Sequence, residues 1–396
     1  MESTPGTHSA SEASPAGPTQ APQSAARAPS VASDARPPDE ETPAERRWHI
    51  APEGYLRGGY EYVQPDPDLD FVGHNFGFVL ANARVGLRGE RIDAGLSFLV
   101  SAEGAADLGG PINTPEGHLG VRLRDAWLRW DFAPWIGVTL GQLKVPFMAG
   151  WLVSSTGLLF ASRAVGLEGV PVGRGYETRG IDIERELGLM LSAKDPLELG
   201  GDLRLGYFAM LFNGNGDNEL IDDNGRPAVA GRLELHWGHW VRLGAAVLFN
   251  SRTEGPLPDR FDEEDLGVTG DLRVRVEDLE VMAEITQVTT SFPTVATADR
   301  SRLEFHAQAG YGLPFVPFPV VLAYRFAYYD PWQSGGTDGA VDLSSFELMY
   351  HTVGFRLDHP DASLGLTAWL DYTFTVESPA RSVRNDRLQV MAQLVF

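Results

Sequence analysis

The feature that most constrains this chain is an alternation of apolar and polar residues that recurs from Trp48 to the C-terminus. In the segment RLEFHAQAGY, Leu303 and Phe305 share one face of an extended chain, while Glu304 and His306 share the other. A period of two residues is typical of β-strands that have one apolar and one polar face. The alternation therefore predicts an all-β protein.

Sixteen segments carry this alternation, and many approach the roughly 9–11 residues that a tilted strand needs to cross a bilayer. Short turns alternate with long connections rich in Gly, Pro, Asp or Asn, which is the pattern of an outer-membrane barrel. A water-soluble sandwich or propeller also alternates, but it seldom needs so many strands of this length. We therefore predict a transmembrane antiparallel β-barrel of about 16 strands. The candidate strands lie near residues 55–63, 76–88, 91–100, 121–132, 136–145, 181–192, 203–212, 228–236, 241–250, 266–277, 279–289, 301–311, 320–329, 349–357, 363–375 and 386–396.

Aromatic residues recur at the ends of the candidate strands. Trp237 and Trp240 bracket the short turn WGH, and Trp130 and Trp135 lie at another short turn, APW. Membrane barrels place girdles of aromatic side chains at both interfaces with water. Any one of these residues fits ordinary packing equally well, but their repeated position supports the barrel.

Residues 1–47 differ from the rest of the chain, because they are rich in Pro, Ala, Ser and Thr and contain almost no large apolar residue. Such a segment buries too little surface to offset its chain entropy. The sequence therefore predicts a disordered N-terminal arm at residues 1–47 and an outer-membrane β-barrel domain at residues 48–396. The N-terminus has neither the basic region nor the apolar core of a signal peptide, so we expect either a processed chain or a protein that is not exported.

The chain has a formal net charge of −22, from 54 acidic against 32 basic residues. This charge argues against nucleic acid as a partner, because phosphate backbones require a basic surface. The sequence contains no Cys, which excludes disulfides and thiolate metal sites. Acidic runs at residues 217–223 and 259–267 either bind divalent cations that bridge lipopolysaccharide or form a solvated surface, and neither run has the spacing of a calcium loop.

Several segments resemble one family of membrane channels. GQLKVPF at residues 141–147 and SSTGLLFASRAV at residues 154–165 are similar to a segment of the phosphate-selective porins O and P. LRDAWLRWDF at residues 123–132, RELGLMLSA at residues 185–193 and FNGNGDN at residues 212–218 resemble segments of the same family, in the same order. The resemblance extends over most of the barrel domain.

This resemblance implies a 16-stranded trimeric porin of a Gram-negative outer membrane, with both termini in the periplasm and the signal peptide already removed. It also implies lipid and lipopolysaccharide as surroundings, the barrel assembly machinery as a partner, and phosphate-type anions as solutes. The sequence departs from the family in one respect. Lys144 and Lys194 are its only lysines, and Thr156 occupies a position where a basic residue is expected, so strict phosphate selectivity is not expected.

The last ten residues, RLQVMAQLVF, form an alternating strand that ends in Phe396. This strand resembles the C-terminal signal that outer-membrane proteins present to their assembly machinery. The resemblance assigns Leu394 and Phe396 to that signal, and we expect the last strand to close the barrel against the first.

The third long connection, from about Pro146 to Gly180, is apolar, Gly-rich and nearly uncharged in its first half. In porins of this size the third loop folds into the barrel and narrows the channel, and this composition fits such a loop. The alternative is a loop that caps the barrel mouth or packs on a neighbouring subunit.

Basic residues outnumber acidic ones around this connection, and the strands carry polar faces of mixed charge. We therefore expect the narrowest part of the lumen to be positive, which predicts a weak preference for anions and passage of small hydrophilic solutes. The residues expected to line the pore are Lys144, Arg163, Arg174, Arg179, Arg84, Arg129, Arg273 and Arg302.

Two other functions remain open at the level of sequence. A structural barrel or adhesin would show the same strands, and a barrel hydrolase would need a nucleophile beside a base. His236 and His239 could bind a metal, but their place on a short turn between tryptophans favours a girdle. The sequence therefore predicts no enzyme, no cofactor and no metal site.

Overall fold

The computed structural model describes residues 48–396 except 75–76, 108–117, 256, 296, 334–336, 339–340, 343–345 and 379–381. The arm predicted at residues 1–47 lies outside the described residues. Sixteen long strands pair antiparallel, each with its neighbours along the chain, in a single sheet. They are β1 (His49–Val63), β2 (Gly77–Arg91), β3 (Leu96–Asp107), β4 (His118–Ala133), β5 (Ile136–Lys144), β6 (Arg185–Ser192), β7 (Leu203–Phe212), β8 (Ala228–Trp237), β9 (Val241–Glu254), β10 (Phe261–Val276), β11 (Leu279–Ser291), β12 (Arg300–Gly312), β13 (Val320–Asp330), β14 (Leu348–Asp358), β15 (Leu366–Glu377) and β16 (Arg387–Val395).

The sheet closes into a barrel because β16 pairs with β1. Their antiparallel register places Tyr55 opposite Val395 and Val63 opposite Arg387. Two backbone hydrogen bonds between Gly54 and Phe396, each 3.0 Å long, extend this seam to the last residue of the chain. A closed barrel has no free sheet edge. The pairing confirms the predicted antiparallel barrel and the predicted contact between its last and first strands.

The two faces of the strands differ in polarity, as the alternation predicts. On β15, the apolar side chains of Leu370 and Phe374 lie on the outer surface and are 46% and 47% exposed. Asp371 and Thr373, on the same strand, point inward and are 1% and 2% exposed. Comparable outward apolar residues occur around the sheet, which gives the barrel the apolar outer surface and polar interior typical of strands that face hydrocarbon.

The structure moves several of the predicted strand boundaries, and two of these shifts have a visible cause. Residues 89–90, which separate the strands predicted at 76–88 and 91–100, belong to β2 and its pairing, and the chain reverses instead through a short 3₁₀ helix, Ile92–Ala94. Gly95 ends that helix with a φ of 61°, a conformation that glycine adopts at little cost. Part of the acidic run at 259–267 lies in β10 rather than in a loop, because Arg252 of β9 pairs with Glu263 and Asp265 across the sheet.

The remaining elements are short. In the part of the chain that the structure describes, no helix is both long and apolar enough to cross a bilayer. Two helices, α1 (Ala149–Leu152) and α2 (Val165–Glu168), lie in the connection between β5 and β6. The other short elements are the strands Gly169–Val170, Thr178–Arg179, Leu197–Gly200, Thr337–Asp338 and Val341–Asp342, and the 3₁₀ helices Ser155–Gly157 and Ala362–Leu364.

Candidate functional site: the lumen and its third loop

The connection between β5 and β6, residues 145–184 and called the third loop below, lies inside the barrel. Its backbone bonds directly to inward-pointing side chains of distant strands. Arg232 of β8 donates to the carbonyl oxygen of Phe147 at 3.0 Å. Glu284 of β11 accepts from the amide nitrogens of Ala149 and Gly150, both at 2.7 Å. These contacts confirm the inward-folded third loop.

Further along, the loop binds the opposite part of the wall. Asp371 of β15 accepts from the amide nitrogen of Ala161 at 2.7 Å, and Arg57 of β1 donates to the carbonyl oxygen of the same residue at 3.1 Å. Arg325 of β13 donates to the carbonyl oxygen of Ser162 at 2.8 Å. Wall arginines thus bond to loop carbonyls and wall carboxylates to loop amides. Hydrogen bonds of this kind, with one charged partner, are stronger than neutral ones.

Apolar packing fixes the loop on one side of the lumen. Phe147, Met148 and Leu167 are at most 1% exposed and belong to a cluster that includes side chains of the inner wall. Burial of a large apolar side chain contributes about 1.5–3 kcal/mol, so the cluster is a substantial part of the loop's attachment. The wall residues of this cluster are Leu143, Met210, Phe212, Ala228, Ala230, Ala246, Leu248, Val288, Ala327, Tyr329 and Leu348.

Small residues allow the loop to approach the wall closely. A Cβ atom added to Gly166 of α2 would lie 1.8 Å from the Cγ atom of Glu304 on β12.

Two side-chain donors bind the last part of the third loop. The indole nitrogen of Trp151 donates to the carbonyl oxygen of Ile181 at 3.0 Å, and the hydroxyl of Tyr329 donates to that of Arg179 at 2.7 Å.

Two of the cations predicted to line the pore stabilise the first turns of the loop. The Lys144 ammonium donates to the carbonyl oxygens of Trp151 and Val153 at 2.5 and 3.2 Å. The Arg163 guanidinium donates to the carbonyl oxygens of Gly150 and Val153, and it lies 5.0 Å from the Trp151 ring centroid. Burial lowers the pKa of Arg163 below its usual value, and Glu168 opposes that effect. Both cations lie inside the barrel, but their donors bind the loop itself.

Arg174 and Arg179 occupy different environments. Arg174 forms a bidentate pair with Glu61 of β1, with both N···O distances at 2.7 Å. Burial alone would lower the pKa of Arg174, but the Glu61 carboxylate raises it above its usual value. The side chain of Arg179 is exposed to the lumen and forms no hydrogen bond or ion pair with the residues that the structure describes.

Of the four wall arginines predicted for the pore, three form close ion pairs and one does not. Arg84 pairs with Glu103 and Arg129 with Asp131, each at 2.7 Å, and the Nε atom of Arg273 donates to Glu280 at 2.8 Å. Arg302 has a looser contact, 3.7 Å from Asp265. The structure therefore brings Arg179 and Arg302 to one cavity and keeps the other predicted residues in separate pairs or in the loop anchor.

This cavity, called the vestibule below, has a volume of about 480 Å³ and lies between the third loop and the long-loop ends of the strands from β6 to β13. Its lining includes Arg300 beside Arg302, together with the aromatic side chain of Trp332. Ligand sites commonly have volumes of about 300–1,000 Å³ and combine apolar walls with a few placed polar groups. The vestibule therefore has the size and chemistry of a solute subsite.

The sequence placed Trp332 among the aromatic residues at strand ends but assigned neither it nor Arg300 to the pore, and it did not separate loop anchors such as Arg232 and Glu284 from other wall charges. One signal was available for the vestibule, because Arg300 and Arg302 are two residues apart and so share the inner face of one strand. No local signal identifies an anchor. Its partner lies far away in the sequence, 85 positions for Arg232 and Phe147.

Comparison with solved structures identifies the architecture. An anion-selective porin from Comamonas acidovorans superposes with a TM-score of 0.59 and 13% identity, over 88% of this chain and 100% of that one. The outer-membrane channel DcaP of Acinetobacter baumannii gives 0.59 and 16%, over 90% and 99%. This chain has the porin fold. OmpT, an outer-membrane protein of Vibrio cholerae in its trimer form, gives 0.54 and 8%, over 88% and 99%.

The sequence itself gives no further assignment. No protein-family model matches the chain, and no curated protein matches it. The resemblance to the phosphate-selective porins O and P therefore stays a prediction, whereas the sixteen-stranded porin architecture is established.

Proposed function

We propose that this protein is a porin of a Gram-negative outer membrane, a channel for passive diffusion of small hydrophilic solutes and ions. The observation that carries the proposal is the third loop, which is bonded to the inner wall of a closed barrel with an apolar outer surface. Barrels of about sixteen strands are wide enough to leave an aqueous channel, and a loop inside one sets its narrowest section. The structural neighbours include outer-membrane channels.

The proposed channel prefers anions weakly and admits phosphate-type anions without binding them tightly. Five cations bond to the third loop without an ion pair among the described residues, and four carboxyl groups beside it bond to loop amides or to His306. The small positive excess supports anion passage, because fields concentrate where low-dielectric walls are close together. The cations are Arg57, Lys144, Arg163, Arg325 and Arg387, and the carboxyl groups are Glu168, Glu284, Glu304 and Asp371.

The first test is conductance in planar bilayers, with the reversal potential measured in a KCl gradient. We expect ohmic conductance and a reversal potential displaced toward the equilibrium potential of chloride. Arg179→Gln should move that potential toward potassium, because its side chain faces the lumen and supports no loop contact among the described residues. Arg88→Gln is the control, because Arg88 pairs with Glu53 at the short-turn rim. A wild-type channel that prefers potassium contradicts the proposed selectivity.

We further propose a homotrimer embedded in lipid and lipopolysaccharide and inserted by the barrel assembly machinery. The trimer form of OmpT, which has the same fold, supports this assembly. Light scattering of the detergent-solubilised protein tests it, and a monomer at all concentrations contradicts it.

A structural barrel without transport is the second candidate. The observation that favours it is that the third loop and its apolar cluster occupy part of the lumen, which reduces the cross-section open to solutes. Bilayers that stay electrically silent with correctly folded protein would support this candidate over the porin.

A further inference from the structure

Two arginines of β12 line the vestibule and have hydrogen-bond donors that no described residue uses. The Nε atoms of Arg300 and Arg302 are buried and have no hydrogen-bond partner among the described residues. The guanidinium of Arg300 lies 5.1 Å from the ring centroid of Trp332, and Arg302 approaches Asp265 only at 3.7 Å. Neither guanidinium forms a hydrogen bond with the described residues through its terminal nitrogens either, although both residues line the cavity. Donors in enclosed sites are normally satisfied, so this adjacent pair indicates a place for an acceptor. A carboxylate matches a guanidinium in planarity and spacing.

The other residues that line the vestibule argue against a ligand that carries only negative charge. The vestibule has six carboxylates against four guanidiniums, so its excess charge is negative. Arg252 cannot help to bind an anion, because Glu263 and Asp265 bond to it at 2.5 and 2.6 Å. Asp182, on the third loop, forms no hydrogen bond with the described residues and faces the same cavity. Enclosure within the lumen raises the pKa of Asp182, the carboxylates of Glu184 and Asp217 raise it further, and Arg179 and Arg124 offset only part of this effect.

A ligand with charges of both signs fits this distribution. Its carboxylate would bond to the guanidiniums of Arg300 and Arg302, and its ammonium group would lie against the carboxylate of Asp182. Aromatic side chains, among them Phe261, Tyr329 and Trp332, give the cavity an apolar surface as well. A cavity of about 480 Å³ has room for a molecule the size of an amino acid.

We propose that the vestibule is a binding subsite for small zwitterions that combine a carboxylate, an ammonium group and an apolar side chain. Arg300 and Arg302 bind the carboxylate, Asp182 receives the ammonium group, and Trp332 contacts the apolar part. The role of the subsite in transport rests on the proposed channel function. Binding itself requires only the folded barrel and can be measured without conduction.

The test is a titration of the full chain in detergent micelles with each of three probes, and saturation-transfer NMR measures the binding. The probes are L-phenylalanine, 3-phenylpropionate, which lacks the ammonium group, and 2-phenylethylamine, which lacks the carboxylate. We expect phenylalanine to bind at least about tenfold more tightly than either analogue, because each analogue leaves one set of charges unmatched. The double variant Arg300→Gln with Arg302→Gln should weaken phenylalanine binding by about tenfold or more, and Asp182→Asn should remove the preference over 3-phenylpropionate.

Arg242→Gln is the matched control, because Arg242 lies near the short-turn end of β9, away from the vestibule, and should bind phenylalanine as the wild type does. Heat-modifiable electrophoresis confirms that each variant is folded. Equal binding of 3-phenylpropionate would make the vestibule a simple anion site, and unchanged binding in the double variant would place the ligand elsewhere; either result overturns the proposal. Silent bilayers with intact phenylalanine binding would instead overturn only the channel function.

Discussion

Several charged residues of the lumen bond to the backbone of the third loop. Glu284 accepts hydrogen bonds from two loop amides, and Arg232 and Arg325 each donate a hydrogen bond to a loop carbonyl. A hydrogen bond to a charged group contributes about 1.5–3 kcal/mol, so each of these residues matters to the position of the loop. Substitution of such a residue therefore changes the shape of the constriction as well as its charge.

Glu284→Ala tests this double role. The change leaves the amides of Ala149 and Gly150 without their carboxylate partner, so we expect the first turns of the loop to become mobile. Single-channel recordings should then show larger conductance and more open-channel noise than the wild type.

Glu280→Ala is the control for that experiment. Glu280 lies on the same inner face of β11 but pairs with Arg273 and Arg275 instead of the loop. Equal noise in the two variants would mean that Glu284 acts through its charge alone.

At the scale of elements, the third loop depends on close approach of α2 to β12. Gly166→Ala would place a methyl group against the Cγ atom of Glu304, and the backbone of α2 would have to shift. We expect a lower melting temperature and increased cleavage of the loop by proteases. Gly157→Ala is the matched control, because an added Cβ atom there meets nothing within 4 Å. Similar losses in both variants would contradict the proposed contact.

The strands were more predictable than the loop contacts. The alternation predicts β7 at residues 203–212, where the structure has it, because one face meets polar groups and the other hydrocarbon along its whole length. The start of β10 was not predictable, since it depends on Arg252 in a neighbouring strand. The inward direction of the third loop followed from its composition and the family resemblance, whereas its anchors depend on partners as far apart as Ala161 and Asp371, 210 positions from each other.

Across the whole molecule, the pore residues predicted from charge alone have different roles. Lys144 and Arg163 hold the loop, and Arg174 is neutralised by Glu61. Arg179 and Arg302 remain candidates for contact with solutes. Sequence could count these charges, but only tertiary structure separates charges that face an open cavity from charges that bind the backbone.

Closure of the barrel gives a prediction at the same scale. Deletion of Phe396 removes both hydrogen bonds to Gly54 and the ring that lies across that glycine. We expect slower insertion and a larger unfolded fraction in heat-modifiable electrophoresis. Val376→Ala, an outward residue near the opposite end of β15, is the control. Normal assembly without Phe396 would contradict the predicted C-terminal signal.

The anchors of the third loop also determine the order of events during biogenesis. The loop ends before residue 185, whereas Arg232, Glu284, Arg325 and Asp371, which hold it, lie on strands that follow it in the chain. The loop can therefore settle only after the later strands have joined the wall. It follows that the constriction is among the last parts of the molecule to form, and that an incompletely closed barrel would have a wider opening than the finished one.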